Sequence, residues 1–164
     1  MFEEYFTVDK STFPSSYTPE PGAISGEGQI VIDEPRNNAV GTTYKFSFKL
    51  ESSVPSQGYL LLQFPEEVKI DASTARSQGD CKVIFCTEVT DHDVRFLIPK
   101  HKAGEFSAGQ TVTLSVSGVY NMRSFKPSSE FKITTFDVDG RSKIDIGYNL
   151  KSELSISGSI SLNY

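Results

Sequence analysis

Apolar and polar residues alternate with a period of two through most of this chain. In "TYKFSFKLE", Tyr44, Phe46, Phe48 and Leu50 share one face while Lys45, Ser47, Lys49 and Glu51 share the other. That alternation predicts a half-buried strand. The same pattern runs through Val112, Leu114 and Val116, through Val94, Phe96 and Ile98, and through Ile144, Ile146 and Tyr148. No stretch carries a convincing helical period. Turn signals separate the runs, at residues 55–58, 91–93, 108–109, 126–129 and 139–140. "GYLLLQFP" departs from the rule, because Tyr59, Leu60, Leu61, Leu62 and Phe64 are apolar on both faces, as in a central strand covered on both sides. About nine strands at this spacing predict an all-β fold, an immunoglobulin-like antiparallel β-sandwich. Pro65 interrupts residues 59–70 where a strand would switch sheets at a corner.

The two ends of the chain read differently from its middle. Residues 1–27 hold Pro14, Pro19 and Pro21 among Ser, Thr and Gly, after a short strand-like "EYFTV". They are expected to form an extended segment, ordered only where the domain at 28–164 or a neighbouring copy holds it. At the other end, "ELSISGSISLNY" sets Leu154, Ile156, Ile160 and Leu162 against Ser155, Ser157, Ser159 and Ser161. A strand with one apolar face at a chain end either completes its own sandwich or is handed to a neighbouring subunit.

Length and composition narrow the function. A chain of 164 residues fits one domain with a real core. Its 37% hydrophobic and 23% charged shares are those of a globular protein, and no apolar run approaches the roughly 20 residues of a membrane helix. A formal net charge of −5 opposes the phosphate backbone, so nucleic acid is not an expected partner. Residues 1–25 lack the basic start and apolar stretch of a secretory signal, so either the protein stays inside the cell or a processed segment is in view.

From Gly41 to about Tyr148 the chain resembles the tandem β-sandwich repeats of large extracellular and surface proteins of ciliates and other protists. The resemblance is carried by "VPSQGYLLLQFPEEVKI", the paired cysteines after it, "SAGQTVTLSVSGVYNMRSFKPSSEFKITTFDVDG" and the closing "KIDIG". In those repeats an Asn-Pro often follows the "SG" strand; here Asn121 precedes Met122. The resemblance implies an extracellular, cysteine-bridged, repeat-like module without catalysis, and it brings no site residues with it.

Both cysteines lie in "GDCKVIFCTE". With His92 and His101 they make a C-x4-C-x5-H-x8-H pattern of zinc-type ligands, but at spacings that match no common zinc finger. The four-residue gap rules out a redox C-x-x-C pair. A straight strand from Cys81 to Cys86 would put their Cα atoms about 16 Å apart, beyond the roughly 7 Å that a disulfide spans, so "KVIF" would have to curl back. The compartment implied by the resemblance favours a Cys81–Cys86 disulfide, with two reduced, buried cysteines as the alternative.

Other chemistry is thinly supported. Asp137, Asp139 and Asp145 surround a glycine turn that starts like a calcium loop, yet the remaining ligands of such a loop are missing, and a plain hairpin turn explains the same residues. His92 and His101 sit in polar turns, and Glu66, Glu67 and Glu88 are glutamates with no reason to pair as glycosidase carboxylates. Trp is absent, so stacking on a sugar would fall to Tyr5, Tyr17, Tyr120 or Tyr148, which also read as strand or edge residues. The reading is therefore a noncatalytic structural module of an extracellular or cell-surface assembly. Its expected partners are copies of itself or neighbouring repeats, without membrane insertion, cofactor, metal or catalytic residues, and a glycan-binding or adhesion module is the alternative.

Overall fold

The computed structural model describes residues 20–24, 29–36, 38–74, 77–79, 85–100, 106–123, 129–147 and 151–152. Every regular element among them is a strand. In chain order these are β1 (Gly22–Ala23), β2 (Gln29–Ile32), β3 (Thr42–Lys49), β4 (Tyr59–Gln63), β5 (Lys69–Ile70) and β6 (Ser77–Gly79). There follow β7 (Phe85–Val89), β8 (Asp93–Leu97), β9 (Thr111–Tyr120), β10 (Lys132–Phe136), β11 (Lys143–Gly147) and β12 (Lys151–Ser152). Short bridging strands raise the number above the nine or so expected.

Two sheets pack face to face. One has the order β1-β11-β10-β4-β8-β7, and the other β12-β2-β3-β9-β5, with β6 also pairing with β9. Pairing is antiparallel throughout except at two edges, where β1 runs parallel to β11 and β12 runs parallel to β2. Chain tracing explains these exceptions. β1 and β12 each precede or follow a strand of the opposite sheet by a few residues, so each docks along an edge in the direction the chain is already travelling.

The alternation read from the sequence becomes the core. Tyr44, Phe46 and Phe48 of β3 and Val112, Leu114 and Val116 of β9 are buried against Leu60 and Leu62 of β4 and Val94 and Phe96 of β8. Four rings interlock at the centre, with Phe46–Phe64 and Phe64–Phe131 centroids both 5.4 Å apart in edge-to-face geometry, an arrangement that suits the ring quadrupoles. The outer surface of the β2–β3–β9 sheet carries Lys45, Ser47 and Thr113 and faces solvent. On the outer surface of the other sheet Tyr59 and Leu61 are half-buried, with Arg95 stacked over the Tyr59 ring and Thr134 and Arg95 opposite Leu61 on the neighbouring strands. This accounts for the doubly apolar "GYLLLQFP", since β4 lies between β10 and β8 in the middle of its sheet.

One strand departs from its expected pattern. Alternation placed Ile144 and Ile146 on a common face, but β11 pairs Lys143 with Phe136 and Ile146 with Thr134, so Ile144 and Asp145 together oppose Thr135. This bulge resets the alternation. Ile144 packs on the core, Asp145 is fully buried, and Ile146 pairs with Thr134 on the outer face. Tyr148 lies outside the described residues.

Residues 22–24 fall within the segment read as an N-terminal extension, and they belong to the sandwich. Ile24 N–H donates to Ile146 O at 2.9 Å, and the Ile24 side chain lies over Gly147, where a Cβ would clash with it.

Candidate functional site

Of the zinc-type ligands singled out in the sequence, His92 alone has its side chain among the described residues. Cys81 and His101 lie outside the described residues, and of Cys86 only the backbone is placed, opposite Phe96 in the β7–β8 ladder. β6 belongs to one sheet and β7 to the other, so the chain changes sheets between Gly79 and Phe85. His92 Nδ1 lies 3.1 Å from Val68 O, which ties its ring to the backbone beside β5. No group of three His, Cys, Asp or Glu side chains gathers among the described residues.

The Asp-Gly turn is a hairpin held by its own carboxylate. Asp139 Oδ1 accepts from Arg141 N–H and Ser142 N–H, both at 2.8 Å, and Oδ2 accepts from the Ser142 hydroxyl at 2.6 Å. These bonds, the Ser142 hydroxyl first, hold the Asp139 carboxyl down at about 2. Gly140 takes φ +65°, and a side chain there would run into Arg95, whose guanidinium stacks 4.4 Å from the Tyr59 ring centroid. Asp137 Oδ1 accepts from Val138 N–H at 2.7 Å. Asp145, the third carboxylate of the calcium-like pattern, is buried on β11 instead. Its Oδ2 accepts from Ser52 N–H at 2.8 Å, and its Oδ1, which has no hydrogen-bond partner among the described residues, lies against Gly22. The three acids thus serve a turn and a buried loop clamp.

A concave surface opens at one end of the sandwich. Its volume is about 700 Å³, within the roughly 300–1,000 Å³ usual for ligand clefts. The walls come from Asn38 and Ala39 before β3, Lys69 to Asp71 at β5, Asp91 in the β7–β8 turn, and residues 120–123 leaving β9. Glu67 completes the rim, and it is the one of the three candidate glutamates that reaches this surface. The Ser129 hydroxyl donates to Glu67 Oε1 at 2.7 Å and lowers its carboxyl.

The base of this groove is tightly fixed. Asn38 N–H donates to Met122 O, and Asn121 N–H donates to Ala39 O. The buried Asn121 side chain accepts from the Tyr44 hydroxyl at 2.9 Å and donates to Glu34 O and Arg36 O, each at 2.7 Å. Burial raises the Tyr44 phenol well above its ordinary range, so it remains a neutral donor. Here an amide side chain performs a threefold tie, a role legible only once residues 34–36 and 44 are placed around it.

At the rim, Tyr120 is 37% exposed, and its hydroxyl lies 3.3 Å from Asp71 Oδ2, to which it donates. Asp71 Oδ1 in turn accepts from Ser73 N–H and the Ser73 hydroxyl. The Ser73 bonds lower the Asp71 carboxyl, and its charge raises the Tyr120 phenol. Of the tyrosines considered for stacking, Tyr120 lines the groove, while Tyr5, Tyr17 and Tyr148 lie outside the described residues.

A second feature is the lateral edge that carries β1 and β12. β1 borders β11 on one sheet, β12 borders β2 on the other, and the connections β1 to β2 and β11 to β12 are short, which puts both edges on one side of the sandwich. Lys151 and Ser152 pair with Gln29 and Ile30. Leu154, Ile156, Ile160 and Leu162 follow directly and lie outside the described residues. Among the described residues, no helix is long and apolar enough to cross a membrane.

No protein-family model matches the chain, and no curated protein sequence matches it. Among solved structures it is similar to BslA, a bacterial hydrophobin, at 8% identity and a TM-score of 0.42, over 77% of this chain and 99% of that one. It is also similar to a family GH18 chitinase from Chromobacterium violaceum, at 14% identity and a TM-score of 0.41, over 80% of this chain and 20% of that one. A non-cellulosomal cohesin from the archaeon Archaeoglobus fulgidus gives 13% identity and a TM-score of 0.35, over 75% of this chain and 89% of that one. Likenesses this distant carry no functional argument.

Proposed function

We propose that this chain is a noncatalytic structural module of an extracellular or cell-surface assembly, a repeat or subunit joined to copies of itself or to neighbouring repeats through its terminal segments. The observation that carries this reading is β12. It lies on the outer edge of β2 in parallel register, and in the segment that follows, Leu154, Ile156, Gly158, Ile160 and Leu162 alternate with Ser155, Ser157, Ser159 and Ser161. An edge strand is a template for further pairing, and the segment that continues from it has the pattern that strand addition uses. Burying Leu154, Ile156, Ile160 and Leu162 would contribute on the order of 1.5–3 kcal/mol each. A Cys81–Cys86 disulfide belongs to the same proposal, as a short staple near the point where the chain changes sheets. It contributes at the low end of the roughly 0–5 kcal/mol range because its loop is short.

Deleting residues 153–164 tests the assembly. Light scattering should show a folded monomer where the full chain forms dimers or longer arrays. A truncated chain that unfolds, or one that assembles as before, would sink the idea. Intact-mass measurement of the denatured, unreduced protein after alkylation tests the staple, and two alkylated thiols would exclude it.

A further inference from the structure

The groove beside β5 and the end of β9 has no part in an assembly through the chain ends, and its chemistry points to a ligand. From it we infer a binding site for a short neutral oligosaccharide, stacked on Tyr120 and hydrogen-bonded through Asp71, Asp91 and Asn38. This inference stands apart from the assembly reading, since it uses no residue of the terminal segments.

The first ground is the mixture of donors and acceptors. Asp71 and Asp91 offer carboxylate oxygens, Lys69 and Arg123 offer N–H donors, and Asn38 offers both within one groove. Sugar hydroxyls both donate and accept, so they need such a mixture. An anionic ligand would meet three carboxylates against two cations, and an apolar one would leave the polar rim unpaired. Among the described residues, no hydrogen bond or ion pair engages the side chains of Lys69, Asp91 or Arg123.

The second ground is preorganisation. Tyr120 is the aromatic ring on this surface, and its hydroxyl bond to Asp71 fixes the ring, while Ser73 fixes Asp71. A rigid aromatic beside fixed polar groups can take the C–H face of a sugar ring with little loss of side-chain entropy on binding. Beneath it, the backbone bonds between residues 38–39 and 121–122 and the Asn121 tie keep the floor in place.

The full chain should be tested on a printed array of neutral and sialylated or sulfated glycans, with hits measured by calorimetry as free oligosaccharides. Binding to neutral glycans is expected. Tyr120→Ala and Asp91→Asn should each weaken it at least tenfold, Tyr120→Phe, which keeps the ring but loses the bond to Asp71, should weaken it by a smaller, few-fold factor, and Val138→Ser, on the exposed Asp-Gly turn, should leave it unchanged. Thermal melts that match the parent chain keep a loss of binding from being a loss of fold. No binding on the array overturns the inference. So does binding that Tyr120→Ala leaves intact, or binding confined to charged glycans and lost as salt rises, which would assign the groove to Lys69 and Arg123.

Discussion

At the scale of single residues, the most consequential side chain is one with no signal in the sequence. Asn121 looks like a turn residue after a strand, yet it is 6% exposed and satisfies three partners on two other segments. Asn121→Ala would leave the buried Tyr44 hydroxyl without its acceptor, at a cost of about 1–3 kcal/mol, and would take one donor each from Glu34 O and Arg36 O, which keep the Thr42 hydroxyl and Ala39 N–H. A loss of about 1–3 kcal/mol in urea melts is expected, and a loss within error would mean that water replaces the amide freely. Asp139 makes a prediction of the opposite kind, at the surface. Its folded carboxyl sits at about 2, below the ordinary 3.8, so the stability it lends is present above the ordinary value and disappears as pH falls through about 2. Asp139→Asn, which does not titrate, should flatten the acid limb of stability between about pH 4 and pH 2 relative to the parent chain. Because the group is fully exposed the difference is small, and the Ser142 amide, followed by NMR in the same titration, is the sensitive reporter. Parallel acid limbs for the two proteins, with an unmoved Ser142 amide, would contradict this role.

At the scale of elements, period-two alternation was enough to place β3, β4, β8 and β9, because each keeps one residue opposite one through most of its length. It failed where a bulge intervenes. On β9 the register slips between Val116 and Val119 opposite Tyr44 and Thr42, with Gly118 at φ +75°, so Gly118 and Val119 are both buried. On β11 the slip buries Asp145, a residue that reads as polar and outward. Bulges depend on the partner strand and therefore leave little trace in one strand's own pattern. The groove was equally illegible, since it gathers four stretches between residues 38 and 123 that share no motif; Tyr120 stands out in the sequence as one tyrosine among several and Glu67 as one glutamate among three, with nothing to bring them together. The bulge on β9 can be probed directly. Gly118→Val would force a β-branched residue into a left-handed conformation, at a cost of about 1–2 kcal/mol or more, and should loosen the turn that hydrogen-bonds Gly118 O through Asp71 N–H. Hydrogen exchange at Asp71 should accelerate in that variant. An unchanged melt and unchanged exchange would show that the bulge tolerates a side chain.

At the scale of the whole molecule, the question is what the apolar alternation of residues 153–164 rests against. The described part of the chain already closes a core between two sheets without that segment, which is why its removal is expected to spare the fold. Its point of departure is also fixed, because Lys151 and Ser152 lie on the outer edge of β2. A strand leaving from there either extends along its own sheet or crosses to a neighbour, and buried area alone does not distinguish the two, since the same four side chains are covered in both cases. Single charges do. Ile156→Asp places a carboxylate on the apolar face, where burial without a partner costs several kcal/mol, whereas Ser157→Asp places one on the opposite face. If the strand is donated, Ile156→Asp should yield a folded monomer that melts, independently of concentration, where the parent melts when diluted to monomer, and Ser157→Asp should still assemble. If the strand completes its own sandwich, Ile156→Asp should lower the melting temperature at every protein concentration. Equal disruption by both substitutions would mean that the serine face is covered as well. The segment would then be an interior strand of a larger sheet, and not an edge offered to a partner.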